Sequence, residues 1–181
     1  PWEDRLIVAP NISGLLTLEL LKTQPDLARN IVLISPPPNQ KAIPMLARSF
    51  AKARSLIRDP DLPDEHTLHH LYTFLGAQIE NRKHLADVTS ADRAVIDALL
   101  ADPAGWPTPT LAYFMSIFRG FQQAWEWPRK ARIKEGTRIL LMYGSDDPMM
   151  GKGGFVRPMT DWFAARGVED VASFRVEGAR S

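Results

Sequence analysis

An α/β protein with a mainly parallel sheet and one helical insertion is predicted by three features of the 181-residue sequence. Two short apolar runs flank a helical leucine pattern near the start, and two more flank a helical pattern near the end. The long stretch between these units shows helical segments and no obvious strand. A strand-helix-strand order makes the two strands parallel, because the crossover returns the chain to the same end of the sheet.

Arg5 to Ala9 is the first apolar run and leads into a turn. From Gly14 to Thr23, leucines recur at Leu15, Leu18 and Leu21 and at Leu16 and Leu20, the spacing of a helix, which Pro25 stops. Ile31 to Ser35 is a β-branched run closed by Pro36, Pro37 and Pro38. From Asn39 to about Lys134 the pattern is helical, broken at Asp59-Pro60, Leu62-Pro63, Asp102-Pro103 and Trp106-Pro107-Thr108-Pro109. Arg138 to Tyr143 is the next strand, followed by the polar turn Gly144-Ser145-Asp146-Asp147-Pro148. Phe155 to Arg166 has helical spacing and ends at Gly167, and Val171 to Val176 is a last strand.

Composition excludes several classes. Hydrophobic residues make up 45% and charged residues 24%, the balance of a globular chain able to bury a core. Twenty-two basic side chains against 21 acidic ones leave a net charge of +1, so no overall field would steer nucleic acid. Without cysteine there is neither a disulfide nor a thiolate metal site, which fits a reducing compartment. No apolar run reaches the roughly 20 residues needed to span a bilayer, and no signal-peptide pattern precedes the first strand. A cytoplasmic protein without stable membrane insertion is expected.

Four stretches, in this order and spacing, resemble the α/β-hydrolase fold, in the branch of monoacylglycerol lipases, lysophospholipases and serine-aminopeptidase-like proteins. They are Ser13-Gly14-Leu15-Leu16 through Pro25-Asp26-Leu27-Ala28 into Ile31 to Pro36; Asp87-Val88-Thr89-Ser90 through Ala101-Asp102-Pro103; Tyr143 to Pro148 followed by Gly151-Lys152-Gly153; and Gly167-Val168-Glu169-Asp170-Val171 to Glu177-Gly178-Ala179-Arg180. The resemblance implies a hydrolase core in residues 1–38 and 135–181 and a helical cap in 39–134. It also implies that the chain corresponds to the C-terminal two-thirds of such a protein. The strand at Arg5 to Ala9 would then be an apolar edge, expecting either further N-terminal strands or a partner chain beside it.

In such hydrolases the nucleophile sits on a sharp strand-to-helix turn written small-x-nucleophile-x-small-small. Here the pattern reads Ala9-Pro10-Asn11-Ile12-Ser13-Gly14, with Asn11 where the serine belongs. Asparagine tolerates left-handed backbone geometry, so it can keep the turn while offering a poor nucleophile. The triad acid resembles Asp147, with Asp146 the weaker candidate. An Asp-Asp-Pro turn also has a purely local reading, since Asp readily bonds its own following backbone. The histidine position after Gly-Ala-Arg holds Ser181, which cannot act as a base near neutral pH.

His66, His69, His70 and His84 all lie in the insertion. The first three share one helical face and invite a metal reading, but a solvated cap helix suits them better; no metal and no cofactor is expected. Gly151-Lys152-Gly153-Gly154 resembles a phosphate loop in composition alone and reads as a turn. Tyr113, Phe114, Ile117, Phe118, Phe121 and Trp125 recur at near-helical intervals. Ile12, Phe114, Phe118, Phe121 and Trp125 are the candidate substrate contacts by resemblance, and core packing is the competing account.

The expected activity is that of a serine hydrolase on carboxylic esters of lipid-like substrates, with Asn11 and Ser181 predicting a chain that is silent or nearly so. The alternative is a degenerate hydrolase that binds a small lipid-like ester, a fatty acid or a protein without turning it over. A weaker idea is deamidation of Asn11 to the aspartate that dehalogenases and epoxide hydrolases of this fold use.

Overall fold

The computed structural model describes residues 1–40 and 42–180. Two compact units are formed: residues 1–39 with 123–179, and residues 40–122 with Arg180.

The first unit is built on four parallel strands in the order β1-β2-β3-β4: β1 (Leu6–Pro10), β2 (Asn30–Ile34), β3 (Arg138–Gly144) and β4 (Asp170–Val176). The register runs Leu6 beside Asn30 beside Arg138 beside Asp170, so all four strands end on the same side of the sheet. Helix α1 (Ile12–Thr23) connects β1 to β2 and α6 (Val156–Ala164) connects β3 to β4.

The leucine pattern explains how α1 docks. Leu15, Leu18 and Leu21 are buried, with Ile31, Leu33, Ile139 and Leu141 of the sheet in the same core. Each such side chain contributes about 1.5–3 kcal/mol when fully buried. The intervening Leu16 and Leu20 remain exposed, as do Leu6 and Val8 on β1, so the edge strand presents an apolar row beside its unpaired backbone. Helix α6 contributes Met159 and Phe163, and Trp125 and Trp127 pack edge-on against Trp162.

The second unit is helical: α2 (Ala42–Arg54), α3 (Glu65–Leu75), α4 (Arg93–Ala101) and α5 (Leu111–Gln123, whose last residue lies in the first unit). Its core gathers Ala51, Leu68, Leu111, Phe114 and Phe118. An ion pair between half-buried Arg54 and buried Asp64 ties α2 to the start of α3. Arg54 donates from Nε and Nη2 to the two oxygens of Asp64 at 3.0 and 2.7 Å, and Thr67 Oγ1 donates to the same carboxylate. Burial alone would raise the Asp64 pKa, but the Arg54 and Thr67 hydrogen bonds outweigh it and hold the group at about 2. No helix among the described residues is long and apolar enough to cross a membrane.

Candidate active site

Parallel strands deliver their following loops to one end of the sheet, the side on which open α/β sheets place their sites. Three residues there have unusual surroundings: Asn11 after β1, Ser35 after β2 and Asp147 after β3. Backbone bonds fix the crossings: Asn11 N donates to Ile34 O at 2.8 Å and Ser35 N to Met142 O at 2.8 Å. Ser145 N donates to Val176 O at 2.9 Å, which anchors the β3 turn to the end of β4.

Asn11 is the N-terminal boundary of α1, with φ 48° and ψ −121°. The helix starts two residues earlier than the leucine spacing indicates, because the strand turns into it within one residue. The positive φ matches the sequence expectation, but its reason differs. A ψ of −121° lies outside the left-handed helical basin that asparagine tolerates, so the side chain type does not relieve the strain. The amide carbonyl makes no capping bond to the helix. Gly14 is required by a close approach: a Cβ there would stand 2.9 Å from Pro36 Cβ. The small-residue pattern thus serves helix-to-strand packing whatever the turn's chemistry.

Strain of this kind costs about 1–3 kcal/mol. Asn11→Gly is therefore expected to stabilise the protein by about 1 kcal/mol after the glycine's extra unfolded-state entropy is deducted. Thermal melting would show a rise of about 2–4 °C, whereas an unchanged or lower midpoint would mean that the turn is not strained.

Asp147 is fully buried. Its Oδ1 accepts from the backbone N–H groups of Met149 at 2.8 Å and Met150 at 3.2 Å, closing the local turn foreseen for an Asp-Asp-Pro sequence. Its Oδ2 has no partner, and neither does the buried Oγ of Ser35. Burial raises the pKa of Asp147, and the Ser35 hydroxyl and the Met150 and Met149 amides offset part of that rise. Ser35 is close enough to favour the charged carboxylate, yet the two orphaned oxygens do not meet at hydrogen-bonding geometry. Ser35 also has a positive φ of 45°. In the sequence Ser35 is marked only as a hydroxyl residue closing an apolar parallel strand.

Asp146 donates its N–H to Ala179 O at 2.9 Å, within the first unit. Ser181 lies outside the described residues. Arg180 Nη1 donates to the carbonyls of Asp87 and Ser90 in the second unit. Gly151–Gly153 is a single turn of 3₁₀ helix with Lys152 at φ 53° and ψ 37°.

Ile12 begins α1, half-buried in the first unit. Phe114 and Phe118 stack in the core of the second unit, ring centroids 6.1 Å apart. Phe121 is half-buried. Trp125 belongs to the first unit, where its Nε1 donates to Pro37 O at 3.1 Å and its ring meets Phe163. Of these side chains, Phe118 also borders a groove of about 260 Å³ between α2 and α3, with Leu46, Phe50, Leu71 and Phe74. His66 and His70 place their Nε2 atoms 3.3 Å apart on α3, and His84 Nδ1 accepts from Ala86 N. Among the described residues no three His, Cys, Asp or Glu side chains are grouped to hold a metal ion.

With a strained turn after its first strand and a buried acid after its third, the chain has the α/β-hydrolase fold. It superposes on a highly thermostable carboxyl esterase from Bacillus coagulans solved in complex with glycerol, with a TM-score of 0.80 at 17% identity, covering 97% of this chain and 56% of that one. A monoacylglycerol lipase from Paleococcus ferrophilus matches with a TM-score of 0.63 at 19% identity, over 98% of this chain and 60% of the other. A soluble variant of the Saccharomyces cerevisiae monoglyceride lipase, in complex with a substrate analogue, matches at 0.61 and 11% identity, over 97% and 53%. This chain therefore spans a little over half the length of the structures it matches. No family model and no curated protein matches the sequence. At such identities the likeness establishes the fold, and chemistry rests on the site residues.

Proposed function

We propose that this chain derives from an ester hydrolase of the monoacylglycerol lipase or lysophospholipase type and is itself catalytically silent or nearly so. The observation that carries the reading is Asn11, which holds the strained nucleophile turn at φ 48° without a nucleophile. In a working relative, serine would attack the ester carbonyl, histidine would take its proton and the acid would orient that histidine, with backbone amides holding the oxyanion. Asp147 fits the acid's part, being buried with one oxygen unpartnered. Ser181 stands at the histidine position by sequence. A glycerol-sized or monoacylglycerol-sized ester is the substrate class supported by the esterase solved with glycerol and the lipase solved with a substrate analogue. The open edge of β1 supports further strands or a partner chain as its neighbour.

A second reading, lipid binding without turnover, is favoured by the apolar groove between α2 and α3. One experiment separates the two from active catalysis. Purified protein is treated with a fluorophosphonate that modifies activated serines, and its intact mass is measured; in parallel, melting is followed with monoacylglycerol or fatty acid. The mass is expected to be unchanged by the treatment, with no adduct. A single adduct, with ester turnover abolished by Asp147→Ala, would overturn the silent reading. A raised melting temperature without an adduct would favour the binding reading.

A further inference from the structure

Helix α3 exposes His66, His69 and His70, and the chemistry at the strand ends uses none of them. His66 and His70 are i and i+4 residues on one helical face. That spacing suits a solvated helix as well as a ligand pair, and the side-chain geometry separates the two. The Nε2 atoms stand 3.3 Å apart, the ring centroids 4.3 Å apart and the ring planes 65° apart. Imidazoles hydrogen-bonded end to end would hold their centroids much farther apart than their nitrogens. These rings stand side by side, so the two nitrogens are not aimed at each other along one line. Two nitrogens bound to one tetrahedral ion at about 2.0–2.1 Å lie about 3.3–3.4 Å apart, the separation found here without an ion.

Phe50 of α2 holds the pair in place. Its ring stacks on His66 at 5.9 Å with planes 16° apart and meets His70 edge-on at 5.8 Å. Rings already packed lose less freedom when they bind an ion. Arg54 lies near enough to act on His66, but its charge is matched by the Asp64 carboxylate. We propose that His66 and His70 form an open two-histidine site for a late first-row divalent ion such as Zn²⁺ or Cu²⁺. Neutral imidazole suits these ions, whereas Mg²⁺ takes oxygen ligands. Two imidazoles leave the remaining positions to water, which agrees with the lack of a third grouped His, Cys, Asp or Glu among the described residues. The ion joins side chains one turn apart and so braces α3. This inference stands apart from the chemistry at Asn11 and holds whether or not the chain turns over esters.

The test is calorimetric titration of the full chain with ZnCl₂, CuCl₂ and MgCl₂ at about pH 7.5, above the ordinary imidazole pKa. One Zn²⁺ per chain is expected to bind, Cu²⁺ to bind more tightly and Mg²⁺ to give no saturable signal. His66→Gln and His70→Gln should each weaken Zn²⁺ binding at least about tenfold. His69→Gln on the same helix is the control and should bind as wild type. Zn²⁺ should also raise the melting temperature of wild type and of His69→Gln, and not that of the other two variants. All three histidines are exposed, and melting in EDTA shows whether each variant is folded; His66→Ala and His70→Ala replace a glutamine variant that is not. No saturation up to about 1 mM Zn²⁺, undiminished binding in His66→Gln combined with His70→Gln, or an equal loss in His69→Gln would each overturn the proposal.

Discussion

Asn11→Ser combined with Ser181→His is expected to gain a fluorophosphonate adduct and to raise turnover of a short-chain ester by on the order of a thousandfold or more over wild type. The backbone already holds residue 11 at φ 48° and ψ −121°, so a serine there needs no rearrangement to point off the strand end. Ile12, first residue of α1, has an N–H without an intrahelical acceptor and lies in the positive field of the helix N-terminus, which suits it to hold an oxyanion. Asp147 Oδ2 is unpartnered and can accept the N–H of an introduced imidazole. Each single variant should stay near background, because nucleophile and base act as a unit and lacking either costs nearly as much as lacking both. The adduct is the primary readout, since it needs only nucleophile and base. A folded double variant with no adduct would mean that residue 181 does not bring a histidine to this acid.

The strands and the two helices of the first unit were legible because their signals are local: β-branched runs closed by proline or glycine, and leucines at helical spacing. Helix α1 starts at Ile12 rather than Gly14, since the spacing of buried leucines marks a docked face and not the turn that launches it. The four helices of the second unit were visible only as one helical region, since proline pairs mark breaks but not starts; Pro44 even lies inside the first turn of α2. The positive φ of Asn11 followed from the turn pattern, while its ψ did not, because asparagine's known tolerance concerns another basin. The relation of Ser35 to Asp147 was not legible, as it spans separate strands and has no sequence spacing. The aromatic series runs evenly from Tyr113 to Trp125 in sequence, but α5 ends at Gln123 and Trp125 packs with Trp162 and Phe163 instead. Periodicity counts residues past a helix end without registering that the helix has stopped.

Asp147→Asn should stabilise the protein at pH 7, and the gain should shrink towards pH 4. Burial raises the Asp147 pKa, so the folded state retains that proton over a pH range in which the unfolded chain, titrating near about 3.9, has released it. Stability therefore falls as pH rises from the unfolded pKa through the folded one, and the penalty persists above it. Asparagine removes the charge, keeps an oxygen for the Met149 and Met150 amides, and offers an N–H where Oδ2 now lacks a partner, beside the orphaned Ser35 hydroxyl. The expected gain at pH 7 is about 1–3 kcal/mol, about 2–4 °C in melting temperature for each kcal/mol at this chain length. Asp147→Ala should instead destabilise at both pH values, because it leaves the Met149 and Met150 amides without their acceptor and opens a void. Equal melting of wild type and Asp147→Asn at pH 7 would show that the carboxylate carries no penalty, and the argument that it persists despite a cost to the fold would fail. If the gain appears, Asp147 joins Asn11 as a second residue at the strand ends that the fold alone would not select, which is the pattern expected where an active site has lost its nucleophile but kept its frame.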